Sequence, residues 1–250
     1  MNRTARTDSP TPVDAHAGSD RVTYLVVAKA PAPGLVKTRL TPSYSDHEAA
    51  ALAAAALLDT LDAVRASVDG SDASARLPVC ALSGDLDSGA APDGVRNALA
   101  GFTVISQRGD GLGPRLAHAH VDAAGELGPT VQIGMDTPQV TPELLRAAAS
   151  RVVAEDGPDA ALGPADDGGW WLLALRRAGH ARLIANVAMS TAETGRLTRA
   201  ALQQGGLRVE LLPALLDVDL PEDVPMVAAA AAGTRFAALA RTLGDRTEAR

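Results

Sequence analysis

Three acids placed near the ends of apolar runs, Asp136, Asp217 and Asp219, are the residues of this chain best suited to metal chemistry. Asp136 follows an apolar strand pattern over residues 130–134, in the segment Gly134-Met135-Asp136-Thr137-Pro138. A carboxylate at such a position stands at the ligand-facing edge of a sheet rather than in its core. The bland alternative is a turn or capping aspartate, but Thr141 offers the next helix a better cap. In Asp217-Val218-Asp219 two acids one residue apart on an extended segment face the same way. Such a pair is costly beside other carboxylates unless a cation joins them. Magnesium is held by one or two carboxylates plus substrate phosphates, so the three acids form a candidate Mg2+ (or Mn2+) site. On this reading, Asp136→Ala or Asp219→Ala removes metal-dependent nucleotide binding and leaves the fold largely intact.

A second constellation lies after the first apolar run: Lys29-Ala30-Pro31-Ala32-Pro33-Gly34-Leu35-Val36-Lys37-Thr38-Arg39. In open α/β sheets ligands bind beyond the carboxyl ends of strands. Lys29, Lys37 and Arg39 could there make charge-assisted hydrogen bonds to phosphates, with Gly34 allowing close backbone approach. The alternative is a solvated surface loop, and the usual GxxxxGK[ST] phosphate loop is absent. Asp166-Asp167-Gly168-Gly169-Trp170-Trp171 joins acids, permissive backbone and both tryptophans of the chain. The glycines would let an acceptor or sugar approach the backbone, and a tryptophan could stack on it. A tight turn with core tryptophans is the competing reading. His118 and His120 lie two apart on an expected helix and do not share a face, so they are a poor metal pair.

The elements that must position these residues alternate. Residues 22–28 read as a strand buried on both faces. Ser45 and Glu48 suggest a capping box before a long Ala/Leu helix reaching about Val68. Residues 77–82, 102–106 and 130–134 read as further strands, with a helix carrying Leu116 and His120 after the glycines at 111–113. Thr141-Pro142-Glu143 is a strong helix start. Strand patterns at 160–163 and 170–175 bracket the acidic loop. Thr191 is expected to cap a helix running to Gln204, 207–212 to return as a strand, and Pro221-Glu222-Asp223 to open a C-terminal helical region. This alternation predicts a largely parallel, layered sheet. Residues 1–20 lack an apolar segment and read as a disordered tail, leaving 21–250 as one domain.

Composition narrows the function. A net charge of -7 over 250 residues argues against a nucleic-acid binder. No apolar run approaches the roughly 18 residues of a membrane span, so a cytoplasmic protein is expected. Cys80, the one cysteine, excludes an internal disulfide and reads as part of a buried strand rather than as a nucleophile.

Taken together, AKAPAPGLVKTRL, the GDGLGPRL turn at 109–116, GMDTP, LGPADDGGWWLLAL, the Ser190-Thr191 pair and DVDLPEDV resemble one family. It comprises bacterial glycosyltransferase-like proteins, often labelled radical-SAM/selenodomain-associated transferases. That family is similar to the 2-phospho-L-lactate guanylyltransferases and other nucleotidyltransferases of GT-A type. The resemblance implies a three-layer α/β/α GT-A-like fold with a mixed, mainly parallel sheet. It implies nucleotide phosphates beside Lys29, Gly34, Lys37, Arg39 and Gly111, and a divalent metal on Asp136, Asp217 and Asp219. Asp136, Asp166, Asp167 and Lys37 become the candidate catalytic groups, with Asp167 the candidate base. Gly168, Gly169, Trp170, Ser190 and Thr191 would face the acceptor or donor group. Two positions depart from the family: Met135 stands where Ser or Asp is usual, and Trp170 and Trp171 where Tyr is common. The second departure leaves the acceptor open.

The leading expectation is glycosyl transfer from a nucleotide sugar to a small acceptor. The alternative is nucleotidyl transfer from a nucleoside triphosphate to a small phosphorylated acceptor, with pyrophosphate release. A non-catalytic nucleotide-binding regulator is a third reading, disfavoured because it would not need all three acids.

Overall fold

The computed structural model describes residues 21–69 and 78–248. The tail expected over residues 1–20, and Leu77 at the head of the second strand, lie outside them.

Strand β1 (Thr23–Lys29) is the apolar run expected to be buried, with Val27 half-buried and its last residue exposed. Ser45 and Glu48 then form the capping box: the Ser45 N–H donates to Glu48 Oε2 at 2.9 Å, and the Glu48 N–H to Ser45 Oγ at 3.3 Å. Helix α1 (Asp46–Asp69) follows, built on alanine and leucine. Next come β2 (Val79–Ser83), α2 (Pro92–Ala98), β3 (Thr103–Ser106), α3 (Leu112–Ala124) and β4 (Thr130–Ile133). Helix α4 (Pro142–Val153) starts as the sequence predicts, with Thr141 Oγ1 accepting the Leu144 N–H. Strands β5 (Ala160–Pro164) and β6 (Trp170–Leu175) flank the acidic loop; α5 (Thr194–Gln204), β7 (Val209–Leu211), α6 (Asp223–Ala230) and α7 (Arg235–Glu248) complete the chain.

The sheet order is β3-β2-β1-β4-β6-β5-β7. Every neighbouring pair is parallel except β4/β6 and β5/β6, so β6 alone runs against the rest. The expected mixed, mainly parallel α/β sheet is therefore present. Helices α1, α2 and α4 cover one face with Leu57, Leu61, Val95 and Leu145, and α3 and α5 cover the other with Leu116 and Leu202. The chain leaves β1 toward β2 on one side and later returns to β4 on the other. That reversal makes a topological switch point at the carboxyl ends of β1 and β4, where such sheets open a crevice. Because β6 is antiparallel, the β5–β6 loop emerges at the same edge.

Two expectations change. Helix α5 begins at Thr194 after Glu193, not at Thr191. Thr191 instead donates its N–H to Thr194 Oγ1 and accepts the Glu193 N–H, which is turn geometry rather than a helix cap. The last strand is only three residues long, because it pairs with β5 alone at the sheet's edge.

The C-terminal helix is anchored by Asp59 and Asp62 of α1, both paired with the Arg235 guanidinium. Buried Asp59 accepts the N–H groups of Arg235 and Phe236 at 3.1 and 2.9 Å, satisfying orphan donors at the start of α7. Asp59→Ala is expected to cost about 1–3 kcal/mol. Urea unfolding checks this, and a loss below about 0.3 kcal/mol would show that α7 docks without the cap.

Candidate active site

Four segments meet beyond the carboxyl ends of β1 and β4: the loop after β1, Gly134 to Thr137, the β5–β6 loop, and Leu215 to Asp219. Backbone bonds hold them in register. The Val218 N–H donates to the Asp136 carbonyl at 3.1 Å, and the Asp166 N–H to the Leu215 carbonyl at 3.1 Å. Val218 is buried in the core, so the acids on either side of it are turned outward. They line two adjoining chambers, both open to solvent; the larger is called the outer and the smaller the inner. The outer, about 810 Å3, is lined by Lys29, Lys37, Arg39, Asp217 and Asp219 among others. The inner, about 220 Å3, is walled by Val27, Leu116, Gln132, Trp170 and Met189. Met135, Asp136, Asp167, Ser190, Thr191 and Asp217 line both and mark their junction.

Lys37 is the most constrained cation. Its backbone is left-handed, with φ of 48°, and its ammonium bonds Asp136 Oδ2 at 2.9 Å. Only 13% of the side chain is exposed. Burial pulls its pKa down, and Asp136, with Asp217 and Asp219 behind it, more than restores it, so the group stays charged. Arg39 pairs with Asp219 at 2.6 Å but is 67% exposed. Two expected phosphate ligands are thus already salt-bridged to two expected metal ligands. Arg39 is the freer to swing onto a phosphate. Arg39→Ala is expected to weaken nucleoside diphosphate binding at least about tenfold while leaving unfolding unchanged. Calorimetric titration measures this, and a change below about twofold would return Arg39 to the solvated surface. Lys29 donates its ammonium to the Leu35 carbonyl at 2.9 Å, folding the loop back on itself.

The acids fit a cation. Asp217 Oδ1 is buried with no partner. Burial first, then the charges of Asp136 and Asp167, push its carboxyl up to about 7 against the pull of Lys37. Among the described residues, however, no three acids, imidazoles or thiolates stand close enough to form a ready-made cage. Asp136, Asp217 and Asp219 offer separate carboxylates at one chamber wall. That suits Mg2+ or Mn2+ that takes its remaining oxygens from substrate phosphates and water.

The β5–β6 loop is shaped by its glycines. Gly168 has φ of 88°, and a Cβ there would run into the Ala192 carbonyl at the approach to α5. Asp167 Oδ1 accepts the Gly169 N–H at 2.7 Å and borders both chambers. Trp170 donates its indole N–H to Thr198 at 3.1 Å and presents its ring to the inner chamber. Trp171 is buried and bonds the Pro213 carbonyl, so of the two tryptophans it is a core residue that also edges the chamber.

Several expected residues stand apart. Asp166 is exposed and lines neither chamber, as do Gly34, Gly111 and Gly168, although Leu112 next to Gly111 lines the inner one. Their places follow from backbone geometry: Gly34, Gly111 and Gly168 all have positive φ and shape turns. Cys80 is fully buried, with its thiol pushed up to about 12 by burial, which removes it from consideration as a nucleophile. His118 and His120 do diverge: His120 is buried and His118 bonds the Arg108 carbonyl. Sequence reading missed Gln132, Met135 and Met189 as lining residues. A lone amide inside the apolar stretch Thr130-Val131-Gln132-Ile133 was the available signal for the first.

A family profile described as an uncharacterized protein conserved in bacteria (DUF2064) matches residues 69–191. No curated protein sequence matches the chain. Among solved structures, a "putative nucleotide-diphospho-sugar transferase" from Desulfovibrio desulfuricans is 26% identical, with a TM-score of 0.73 over 90% of this chain and 95% of that one. The chain has the fold of a nucleotide-diphospho-sugar transferase. A 4-diphosphocytidyl-2C-methyl-D-erythritol synthase superposes with a TM-score of 0.54 at 14% identity, covering 84% of this chain and 97% of that one. A cytidylyltransferase from Leptospira borgpetersenii serovar Hardjo-bovis gives 0.53 at 11% identity, over 91% and 95%. These two share the fold. By its likeness to the first, the chain is a transferase-like enzyme. No helix among the described residues is long and apolar enough to cross a membrane.

Proposed function

We propose that residues 21–250 act as one cytoplasmic, divalent-metal-dependent transferase domain that moves a glycosyl group from a nucleotide sugar to a small acceptor. The observation that carries this reading is the pair of chambers meeting at Asp136, Asp167 and Asp217. A polar outer chamber with three cations suits a nucleotide diphosphate, and a small, aromatic-walled inner one suits a sugar. Asp136 and Asp217, with Asp219 at the edge, would hold the metal. Bound there, the metal would supply Lewis-acid stabilisation of the departing diphosphate.

The chain's own residues supply the rest. Lys37 keeps a fixed positive charge beside Asp136, where negative charge gathers as the nucleotide leaves. Arg39 and Lys29 neutralise phosphate oxygens from the outer rim. Asp167, at the junction of the chambers and tied to the Gly169 N–H, stands where it could take a proton from an acceptor hydroxyl. Ser190 and Thr191 orient the group that crosses between chambers. The kinship with radical-SAM-associated transferases and phospholactate guanylyltransferases rests on motifs and forms part of this proposal.

The test is a thermal-shift screen of nucleoside diphosphates, triphosphates and nucleotide sugars, each with and without magnesium, followed by turnover of the best binders. A binder stabilises by mass action, so the screen ranks donors. Magnesium-dependent stabilisation and turnover of a nucleotide sugar are expected. Pyrophosphate release from GTP or CTP, with no nucleotide sugar consumed, would transfer the assignment to nucleotidyl transfer.

A further inference from the structure

Helix α6 turns apolar residues to solvent along its outer side. After Asp223 it is apolar at every position, from Val224 to Ala230. Val224 and Val227 are buried in a core cluster with Leu52 of α1 and Phe236 of α7. Pro225, Met226, Ala229 and Ala230 are exposed, Met226 by 52%. Other helices present charge on that side: α3 turns out Arg115 and Asp122, α4 Glu143 and Arg151, and α5 Arg196 and Arg199. A helix that is apolar all round belongs inside a protein. The outer side of α6 continues into an open groove of about 780 Å3 against α7, lined by Val224, Ala229, Ala232, Ala237 and Ala240. The groove's rim carries both signs of charge. Arg241, Glu222 and Asp245 are exposed there and form no ion pair among the described residues. Arg241 and Asp245 stand one turn apart on α7, in the less favourable order for a helical ion pair. Arg241 instead donates its Nε to the Ala237 carbonyl at 3.2 Å.

We infer that a second copy of this chain docks on the α6/α7 face, α6 against α6 about a two-fold axis. A two-fold interface presents the same patch twice, so the patch must complement itself. This one does. Met226, Ala229 and Ala230 supply an apolar centre, and alanines let two helices approach closely. At the rim, Arg241 of each copy meets the acids of the other. A membrane suits the face less well, because an interfacial helix needs a basic polar side and α6 has neither Lys nor Arg. The apolar centre is one helix of eight residues, small for a permanent dimer, so a reversible one with a Kd of about 10 μM is expected. No residue of this face lines either chamber of the active site, so the inference is independent of the transferase reading.

Sedimentation equilibrium of the full chain tests this. Wild type is expected to pass from monomer to dimer between about 1 and 300 μM. Ala229→Arg places a guanidinium at the centre from both copies and is expected to weaken the dimer at least about a hundredfold. Its thermal unfolding at the lowest concentration should match wild type, since both residues suit a helix. Met226→Lys is the second such variant if Ala229→Arg disturbs folding. Arg241→Glu alone, and Glu222→Arg combined with Asp245→Arg, are each expected to weaken self-association about tenfold. Mixing those two proteins should restore wild-type affinity, because opposite charges then meet across both halves of the interface. A chain still monomeric at about 300 μM overturns the inference. So does a dimer indifferent to both Ala229→Arg and Met226→Lys, or a mixture that associates no better than its parts. A monomer that co-sediments with phosphatidylcholine vesicles, and loses this with Met226→Lys, would give the face to a lipid surface instead.

Discussion

Asp136→Ala is expected to lose magnesium-dependent nucleotide binding by at least about a hundredfold, since even partners behind a metal ligand cost up to that much. The same substitution strands Lys37, whose ammonium is bonded to Asp136 and mostly buried. Removing one partner of a buried pair costs about 3–5 kcal/mol. Asp217, close enough to act on the same ammonium, cushions the loss, so about 1–3 kcal/mol of stability is expected to go. The double variant Lys37→Met with Asp136→Ala separates the effects. It removes the stranded charge and should recover most of the stability, yet bind nucleotide no better than the single variant. Chemical unfolding and calorimetry read the two quantities independently. Unchanged magnesium-dependent affinity in Asp136→Ala would end the metal assignment, and unchanged stability would mean that Lys37 finds another partner at no cost.

Gly168→Ala should be among the most damaging single methyl additions at the described glycines. Its backbone φ of 88° disfavours any side chain, and the new Cβ would meet the Ala192 carbonyl. The Gly168 carbonyl also accepts the Gly195 N–H at 2.8 Å, pinning the loop to the first turn of α5. Relief requires the loop and residues 190–195 to separate, which displaces Asp167, Ser190 and Thr191 together. Strain of this kind costs about 1–3 kcal/mol. A displacement near 1 Å at the chamber junction is expected to lower turnover about a hundredfold. Gly206→Ala is the control. It has a similar φ of 85° but open space around its Cβ and no place in either chamber. It should lose some stability and keep full turnover. If Gly168→Ala turns over like wild type, the loop does not set the junction.

Much of this protein was legible from its residues in order. Apolar runs and capping residues are local signals: the buried strand β1, the Ser45/Glu48 box and the Thr141 cap all appear as the pattern predicts. That Asp136 and Asp217 line one chamber was beyond the sequence, which offers both as metal ligands without showing that their segments meet. Thr191 failed as a cap because a hydroxyl before a helix can equally close a turn, and only the path of 188–194 decides between them.

What only the tertiary structure decided is which charges meet. Lys37 and Asp136 are 99 residues apart, and Arg39 and Asp219 are 180 apart. From the sequence each cation reads as a phosphate ligand and each acid as a metal ligand, so Asp136→Ala was expected to spare the fold. The folded chain pairs them, and that couples the site to stability. The short loop makes β6 antiparallel to β5, but which strand this hairpin joins was equally invisible. Its pairing with β4 carries the acidic loop to the strand ends of β1 and β4. Gln132 shows the same limit on a smaller scale. Sequence marks it as a polar residue inside an apolar strand, but only the packing of α3 on the sheet brings His120 beside its amide. Periodicity and caps are written over a few residues, while pairing and cavities depend on segments a hundred or more residues apart.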